Sequence, residues 1–148
     1  MKMEILILNR VYVDIIIMCV VFYRGKVTMT KANIISYGVN KMGDTNGVVP
    51  GIHAEHDAIR KLPKLRRNKR QQEISILVIR VTVKNKLQLS KPCYNCINIM
   101  KTIPEKKGYK IKNIYYSDDN GNIIKSNLDI LDNEEKHYSR FYKRLKDK

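Results

Sequence analysis

The stretch His53-Ala54-Glu55 is followed, after 36 intervening residues, by Pro92-Cys93-Tyr94-Asn95-Cys96, and these two motifs decide the fold and the chemistry that we expect of the chain. Zinc accepts one imidazole and two thiolates in a tetrahedral site, and three protein ligands leave the fourth position for water. The histidine and the two cysteines are therefore predicted to bind zinc. We expect Glu55 to stand beside the bound water as the proton carrier.

The spacing of Cys93 and Cys96 supports this prediction. Residues three apart lie on the same side of a helix, so a helix that begins at the motif directs both sulfur atoms towards one point. The N-terminus of that helix also lowers the thiol pKa values, because it stabilises negative charge. A Cys-x-x-Cys motif by itself is also typical of redox pairs and of structural zinc sites. A structural site needs a fourth ligand, and the remaining candidates are Cys19, His56 and His137.

Chain length and cysteine content favour a single domain in a reducing compartment. The 148 residues can bury roughly two thirds of their unfolded surface around one core, so we predict one domain over residues 1–148. Only Cys19 lies outside the motif, and no disulfide framework can be built from it. Because metal-binding thiolates need reducing conditions, a cytoplasmic location is expected.

The apolar N-terminal region predicts a buried strand and no membrane partner. Its longest unbroken run, from Ile15 to Tyr23, has about nine residues, whereas a membrane span needs roughly twenty. The residues after Tyr23 do not offer the small-residue cleavage site of a secretory signal. A strand inside the core is the expected structure of this run.

The formal charge of +15 suggests a polyanionic partner. Seven cationic residues lie among the eleven from Arg60 to Arg70. One explanation is an A+T-rich coding bias, since Lys, Ile and Asn make up 53 of the 148 residues. The other explanation is a loop that faces the phosphate of a nucleotide or nucleic acid. The arginines of the cluster favour it, because they are less easily explained by coding bias.

Hydrophobic patterning predicts alternating strands and helices. Strands are expected at residues 4–8, 11–23, 32–38, 74–83, 111–116 and 122–125. Helices are expected at residues 53–62, from residue 90 onward, and at the C-terminus, where one face carries Tyr138, Phe141, Tyr142 and Leu145. Turn formers fill residues 40–51, and Asp118-Asp119-Asn120-Gly121 predicts a hairpin between the last two strands. This order predicts an α/β fold, a three-layer α/β/α sandwich with a central mixed β-sheet.

The two motifs together resemble the zinc-dependent cytidine and deoxycytidylate deaminase superfamily, in which H-x-E precedes P-C-x-x-C. The similarity runs from about Ile34 to Tyr116 and implies a cytidine deaminase-like sandwich. It also implies that Glu55 takes a proton from water, delivers it to N3 of the base, and later protonates the departing amine. The implied substrate contacts are made by Asn40 to the sugar, by the backbone of Ala54 to the base and by the ring of Tyr116.

The resemblance implies hydrolytic deamination of a cytosine nucleoside or nucleotide, with zinc as the cofactor and ammonia as a product. Deoxycytidylate is slightly preferred, because basic residues could hold its phosphate and residues 37–42 lack the Asn-x-Glu element of free-cytidine deaminases. The predicted hairpin after Tyr116 is, in contrast, similar to the antiparallel final hairpin of free-cytidine deaminases. The alternatives are an enzyme that edits a base in RNA or single-stranded DNA and a catalytically silent, zinc-stabilised interaction domain. The resemblance also implies a homo-oligomer.

Overall fold

The chain forms an α/β structure in a computed structural model that describes residues 15–23, 33–41, 51–67 and 69–146. The strands in these residues are β1 (Ile15–Tyr23), β2 (Ile34–Val39), β3 (Gln72–Thr82), β4 (Leu87–Gln88), β5 (Tyr109–Ser117) and β6 (Ile123–Ser126). The helices are α1 (Ala54–Arg60), α2 (Tyr94–Lys106), α3 (Leu128–Asn133) and α4 (Arg140–Lys146).

The strands form one mixed sheet in the order β2-β1-β3-β5-β6, with β4 paired to the end of β3. β1 runs antiparallel to both β2 and β3, whereas β3 and β5 are parallel. β5 and β6 form an antiparallel hairpin, and the Asp118 carboxylate accepts the backbone N–H groups of Asn120 and Asn122 in its turn. The predicted α/β class, the mixed sheet and the final hairpin are therefore confirmed.

The helices lie together on one side of this sheet. α1 packs on β1 and β2, α2 and α3 pack on β5, and α2 contacts both α1 and α3. α4 lines a cavity together with residues of α1 and α2. Ile74, Ile76 and Val78, alternate residues of β3, are fully buried in the same core cluster as the helices. Among the described residues no helix is found on the other face, so the second helical layer of the predicted sandwich is not seen in them.

Several element boundaries differ from the predicted ones. α2 begins at Tyr94 rather than at residue 90, because Cys93 keeps an extended backbone as the N-cap. α3 was not predicted, since it has only six residues; the side chain of Asn127 caps it by accepting the N–H of Ile130. Tyr138 precedes α4 instead of lying on it. The predicted strand at residues 4–8, the start of the one at 11–23 and the turn formers between 42 and 50 lie outside the described residues.

A close approach between β2 and α1 fixes the position of the helix that follows His53. A Cβ atom at Gly38 would lie 2.2 Å from the carbonyl oxygen of Ala54 and 2.4 Å from the backbone nitrogen of Ala58. Ser36, two residues earlier on the same face, donates its hydroxyl hydrogen to the carbonyl of Ala58 at 2.9 Å. Only glycine leaves room for this contact, which is a usual reason for glycine inside a strand.

Replacing Gly38 by alanine is expected to lower the free energy of unfolding by about 3 kcal/mol, near the upper end of the usual cost of overpacking. The added methyl group meets backbone atoms, which cannot rotate away as a side chain can. Urea unfolding measures the change. Val39→Ala, at an exposed position of the same strand, is the control and should cost less than about 1 kcal/mol. Unchanged stability of the Gly38 variant would contradict the close approach.

Candidate metal centre

Two neighbouring helix N-termini bring the predicted ligands together. His53 is the N-cap of α1, Cys93 is the N-cap of α2, and Cys96 lies in the first turn of α2. Both N-cap residues have extended backbones, so His53 and Cys93 each lie at the point where a loop enters a helix. Because α1 and α2 pack against each other, ligands 40 residues or more apart in sequence become neighbours.

The three side chains have the spacing of ligands around one metal ion. The Nδ1 atom of His53 lies 3.5 Å from the Sγ atom of Cys93 and 3.3 Å from that of Cys96. Their ligand atoms all lie within 4.8 Å of one another. In a tetrahedral zinc site, Zn–S and Zn–N bonds of about 2.3 and 2.1 Å place sulfur and nitrogen about 3.6 Å apart. The site therefore fits a tetrahedral ion that binds His53 through Nδ1.

Hydrogen bonding couples the protonation of these groups. Hydrogen bonds from Cys96 and from His53 outweigh the effect of burial and lower the pKa of Cys93 to about 4. The bond to Cys93, together with burial, raises the pKa of Cys96. The same interaction with Cys93 raises the pKa of His53 despite its partial burial. The pair thus favours one thiolate, on Cys93, and a bound cation would replace the thiol proton of Cys96.

Glu55 lies beside this group without belonging to it. Its side chain is in the first turn of α1, and the residue is only 5% exposed. Burial raises the pKa of the Glu55 carboxyl group, while the neighbouring His53 and a hydrogen bond with Cys96 act in the opposite direction. The carboxyl group is not among the side chains gathered within ligand distance. The role of Glu55 as a proton carrier stays a prediction.

A buried pair of serines holds the loop that leads into Cys93. The Ser90 hydroxyl donates to the carbonyl of Val78 at 2.7 Å and accepts the backbone N–H of Ser117 at 2.8 Å. The Ser117 hydroxyl donates to the carbonyl of Gln88 at 2.6 Å. Both serines are less than 10% exposed. The pair therefore ties the loop to the ends of β3 and β5 and fixes where α2 begins.

Replacing Ser90 by alanine should lower the free energy of unfolding by about 2 kcal/mol, because buried partners of its hydroxyl lose their hydrogen bond. Zinc affinity should also fall by about 10-fold, the lower end of the usual effect of groups that orient ligands. Ser126→Ala is the matched control, since the buried Ser126 hydroxyl has no hydrogen-bond partner in the structure. Calorimetric zinc titration and urea unfolding measure both quantities. Equal effects in the two variants would contradict a positioning role for Ser90.

The C-terminal segment covers one edge of the cluster formed by His53, Cys93 and Cys96, which is called here the metal group. The backbone N–H of Tyr94 donates to the carbonyl of His137 at 2.7 Å, and the ring of Tyr138 packs on that of Tyr94. A cavity of about 250 Å³ lies beneath this segment, between α1, α2 and α4. Its lining includes His53 and Cys96 but not Glu55. The cavity therefore reaches two of the three candidate ligands.

The three residues predicted to bind substrate occupy ordered positions near the sheet. The Asn40 side-chain oxygen accepts the backbone N–H of Ile17 at 3.0 Å and so extends the pairing of β1 and β2. Ala54 is fully buried, and its carbonyl lies against Gly38. Tyr116 is partly buried and packs against the core from β5. Their contacts with a substrate stay predictions.

The spare ligand candidates do not join the metal group. Cys19 is fully buried in the middle of β1, next to Glu55 and Cys96, and burial raises the pKa of its thiol. His56 lines the cavity between the helices, and His137 is exposed. Within the described residues, the group of potential metal ligands contains only the histidine and the two cysteines of the motifs.

Gly38, Ser90 and Ser117 are the positioning residues that sequence reasoning missed. Gly38 had a usable signal, because an isolated glycine in a β-branched run often marks a close backbone approach. Ser90 lies three residues before Cys93, and this closeness in sequence is its only signal of a positioning role. Ser117 has no sequence signal, since its partner lies 27 positions away in the chain.

No protein-family model, curated protein or solved structure matches the chain. None of the helices in the part of the chain that the structure describes is long and apolar enough to cross a membrane.

Proposed function

We propose that the chain is a zinc-dependent hydrolytic deaminase that converts the cytosine of a nucleoside or nucleotide to uracil and releases ammonia. The observation that carries this proposal is the convergence of His53, Cys93 and Cys96 next to the buried carboxyl group of Glu55. A cytidine deaminase-like fold is part of the same proposal. The strand order and the antiparallel final hairpin support it.

Zinc is the proposed ion because of the donor set. Two thiolates and one imidazole in a tetrahedral arrangement favour zinc over the hard cations magnesium and calcium, which prefer oxygen ligands. Three protein ligands are typical of catalytic zinc sites, whereas structural sites usually have four. When bound, zinc supplies an activated water at neutral pH.

The chain's own contribution to the reaction is proton transfer by Glu55. Burial raises the pKa of the Glu55 carboxyl group and so favours its protonated form, which suits a group that accepts a proton and returns it as a general acid and base. We propose that Glu55 takes a proton from the attacking water and delivers it to the ring N3. It then takes a second proton, from the new hydroxyl group on C4, and gives it to the departing amine; the C4–N bond breaks, the C4 carbonyl forms, and the carboxylate is restored when ammonia leaves.

The preference for deoxycytidylate loses one of its supports in the structure. That preference rested partly on basic residues between Arg60 and Arg70 that would hold the substrate phosphate. These residues lie around the C-terminal ends of α1 and α2, whereas the metal group lies at their N-termini. The other support, the absence of an Asn-x-Glu element from residues 37–42, is unchanged, so deoxycytidylate stays the slightly preferred member of the proposed substrate class of cytosine nucleosides and nucleotides. A homo-oligomeric state and a cytoplasmic location stay predictions.

Ammonia release tests the proposed function. The zinc-loaded chain is incubated with cytidine, deoxycytidine, deoxycytidylate, adenosine, transfer RNA and single-stranded DNA, and ammonia is measured with a coupled enzyme assay. Release from at least one of the cytosine nucleosides or deoxycytidylate is the expected result. Release from transfer RNA or single-stranded DNA alone would support base editing instead. A zinc-loaded chain that releases no ammonia from any of them would indicate a silent, zinc-stabilised domain.

A further inference from the structure

An exposed basic surface lies where α1 and α2 end. It belongs to the segment between α1 and β3 and is called here the basic end surface; its residues are Lys64, Arg66, Arg67, Lys69 and Arg70. Leu65, in the middle of this segment, donates its backbone N–H to the carbonyl of Lys107 just after α2. The Nζ atom of Lys107 in turn donates to the carbonyls of Ile59, Arg60 and Leu62 at the end of α1. The surface is thus anchored to both helix ends.

The basic end surface is far from the metal group. The 13 residues of α2 rise about 1.5 Å each, so about 20 Å separate Cys93, at the start of this helix, from the segment attached at its end. A single nucleotide bound at the metal group is much shorter than this span. The surface therefore needs a ligand of its own or one that extends over several phosphates.

Within the part of the chain that the structure describes, the five cations of this surface make no ion pairs, whereas several basic residues elsewhere do. Lys41 and Lys61 pair with the buried carboxylate of Asp57 at 2.9 and 2.7 Å. Lys112 pairs with Glu73 at 2.9 Å. The elements to which the segment is attached carry two acidic residues, Glu73 of β3 and Glu105 of α2, against five cations, so the basic end surface has an excess of positive charge.

The two leucines of the segment point away from the surface. Leu62 is 3% exposed, and Leu65 packs beside Gly108. A membrane-binding segment presents apolar or aromatic side chains that enter the lipid interface together with its cations. The basic end surface has only cations to offer, which favours a hydrated polyanion as its ligand.

We propose that the basic end surface binds the phosphodiester backbone of nucleic acid. Three of its five residues are arginines, whose planar guanidinium groups bind phosphate oxygens in pairs. It has no aromatic residue on which a base could stack, so binding is independent of sequence. A strand that also reached the metal group would span the intervening 20 Å or so with about six nucleotides, at about 3.4 Å each.

Salt-dependent binding tests this proposal on the full zinc-loaded chain. Fluorescence anisotropy follows a labelled single-stranded RNA of about twelve nucleotides, its DNA counterpart and the matching duplex. Neutralising five phosphates predicts a slope of log K against log salt of about −3.5 for single strands and −4.5 for a duplex. Affinity for the single strand should therefore fall roughly 100-fold between 50 and 200 mM salt. The oligonucleotide that binds most tightly identifies the form of nucleic acid that the surface prefers.

Charge-neutralising variants locate the binding surface. Arg66→Gln, Arg67→Gln and Arg70→Gln combined should reduce the size of the single-strand slope by about 2, at about 0.7 per cation. The matched control neutralises three exposed lysines elsewhere in the sheet region, Lys84, Lys86 and Lys125. Its slope should stay close to that of the unmodified chain. Equal losses in both variants would show a response to net charge alone and overturn the proposal.

Two further measurements separate nucleic-acid binding from the proposed deaminase function and from binding to an anionic membrane. Glu55→Gln should bind RNA as tightly as the unmodified chain, because binding does not depend on deamination. A chain that binds RNA without releasing ammonia would leave this proposal standing and overturn only the proposed function. Absence of salt-sensitive binding to any nucleic acid, or tighter binding to anionic phosphatidylserine vesicles than to RNA, would overturn it.

Discussion

Replacing Glu55 by glutamine is expected to lower kcat for ammonia release by roughly 10²–10⁴-fold, the usual contribution of a general acid and base. Glutamine has nearly the same size and can still form hydrogen bonds in the buried position, but it cannot accept and return a proton. Because Glu55 is not one of the metal ligands, zinc content should stay at about one per chain. Parallel assays of ammonia release and of zinc by atomic absorption measure both quantities.

Glu105→Gln provides the matched control for this substitution. Glu105 lies exposed in the last turn of α2, at the opposite end of that helix from Cys93 and Cys96. The same chemical change there should leave kcat within about 2-fold of the unmodified chain, since surface substitutions away from a site have small effects. Equal activity of the chain and its Glu55→Gln variant would remove Glu55 from the reaction. Loss of zinc from that variant would instead make Glu55 part of the metal site.

Replacing Cys96 by serine is expected to abolish stoichiometric zinc binding. The serine hydroxyl is a much weaker ligand than a thiolate, and the remaining His53 and Cys93 hold zinc with only two strong donors. The unmodified chain should gain about 4 kcal/mol of stability at zinc concentrations 1,000-fold above its Kd, whereas the variant should gain almost none. Thermal unfolding at a series of zinc concentrations measures this difference.

Cys19→Ala separates the motif cysteines from the third cysteine of the chain. Cys19 is also fully buried and lies close to Cys96, so its replacement perturbs the same region. It should cost some stability by leaving a small cavity, yet it should keep about one zinc per chain and the same stabilisation by zinc. Loss of zinc from the Cys19 variant would mean that Cys19 is a fourth ligand. That result would favour a structural site over a catalytic one.

Much of the fold could be predicted from local sequence patterns. The nearly continuous β-branched run of β3 and the turn residues after Ser117 predicted a buried strand and a hairpin, and both are present. The Cys93 motif predicted a helix start within a few residues of the correct position. The short helix α3 escaped prediction, because six residues hold too little periodicity to stand out.

The metal group was predictable because its chemistry limits the choice of residues. Few side chains bind zinc, and the spacing of Cys93 and Cys96 already places both on one helical turn. The contact of His53 with these two sulfur atoms depends on how α1 packs against α2, which local patterns do not describe. The glycine contact between β2 and α1 and the serine pair behind the loop are tertiary features of the same kind.

The position of the basic cluster shows the limit of reasoning from composition. Charge counts did not distinguish a substrate phosphate from any other anion as the partner of residues between Arg60 and Arg70. The structure places this segment at the end of α2, about 20 Å from the start of that helix. Charge density along a chain therefore indicated a polyanionic ligand but carried no information on its distance from the metal group.

Zinc K-edge X-ray absorption of the zinc-loaded chain tests most directly whether these residues form a catalytic metal centre. We predict about two sulfur atoms at about 2.3 Å and about two nitrogen or oxygen atoms at about 2.0–2.1 Å, with imidazole scattering from a single histidine. This spectrum corresponds to His53, Cys93, Cys96 and one water. A third sulfur atom, a second histidine or a shell made only of oxygen atoms would contradict a three-ligand hydrolytic site.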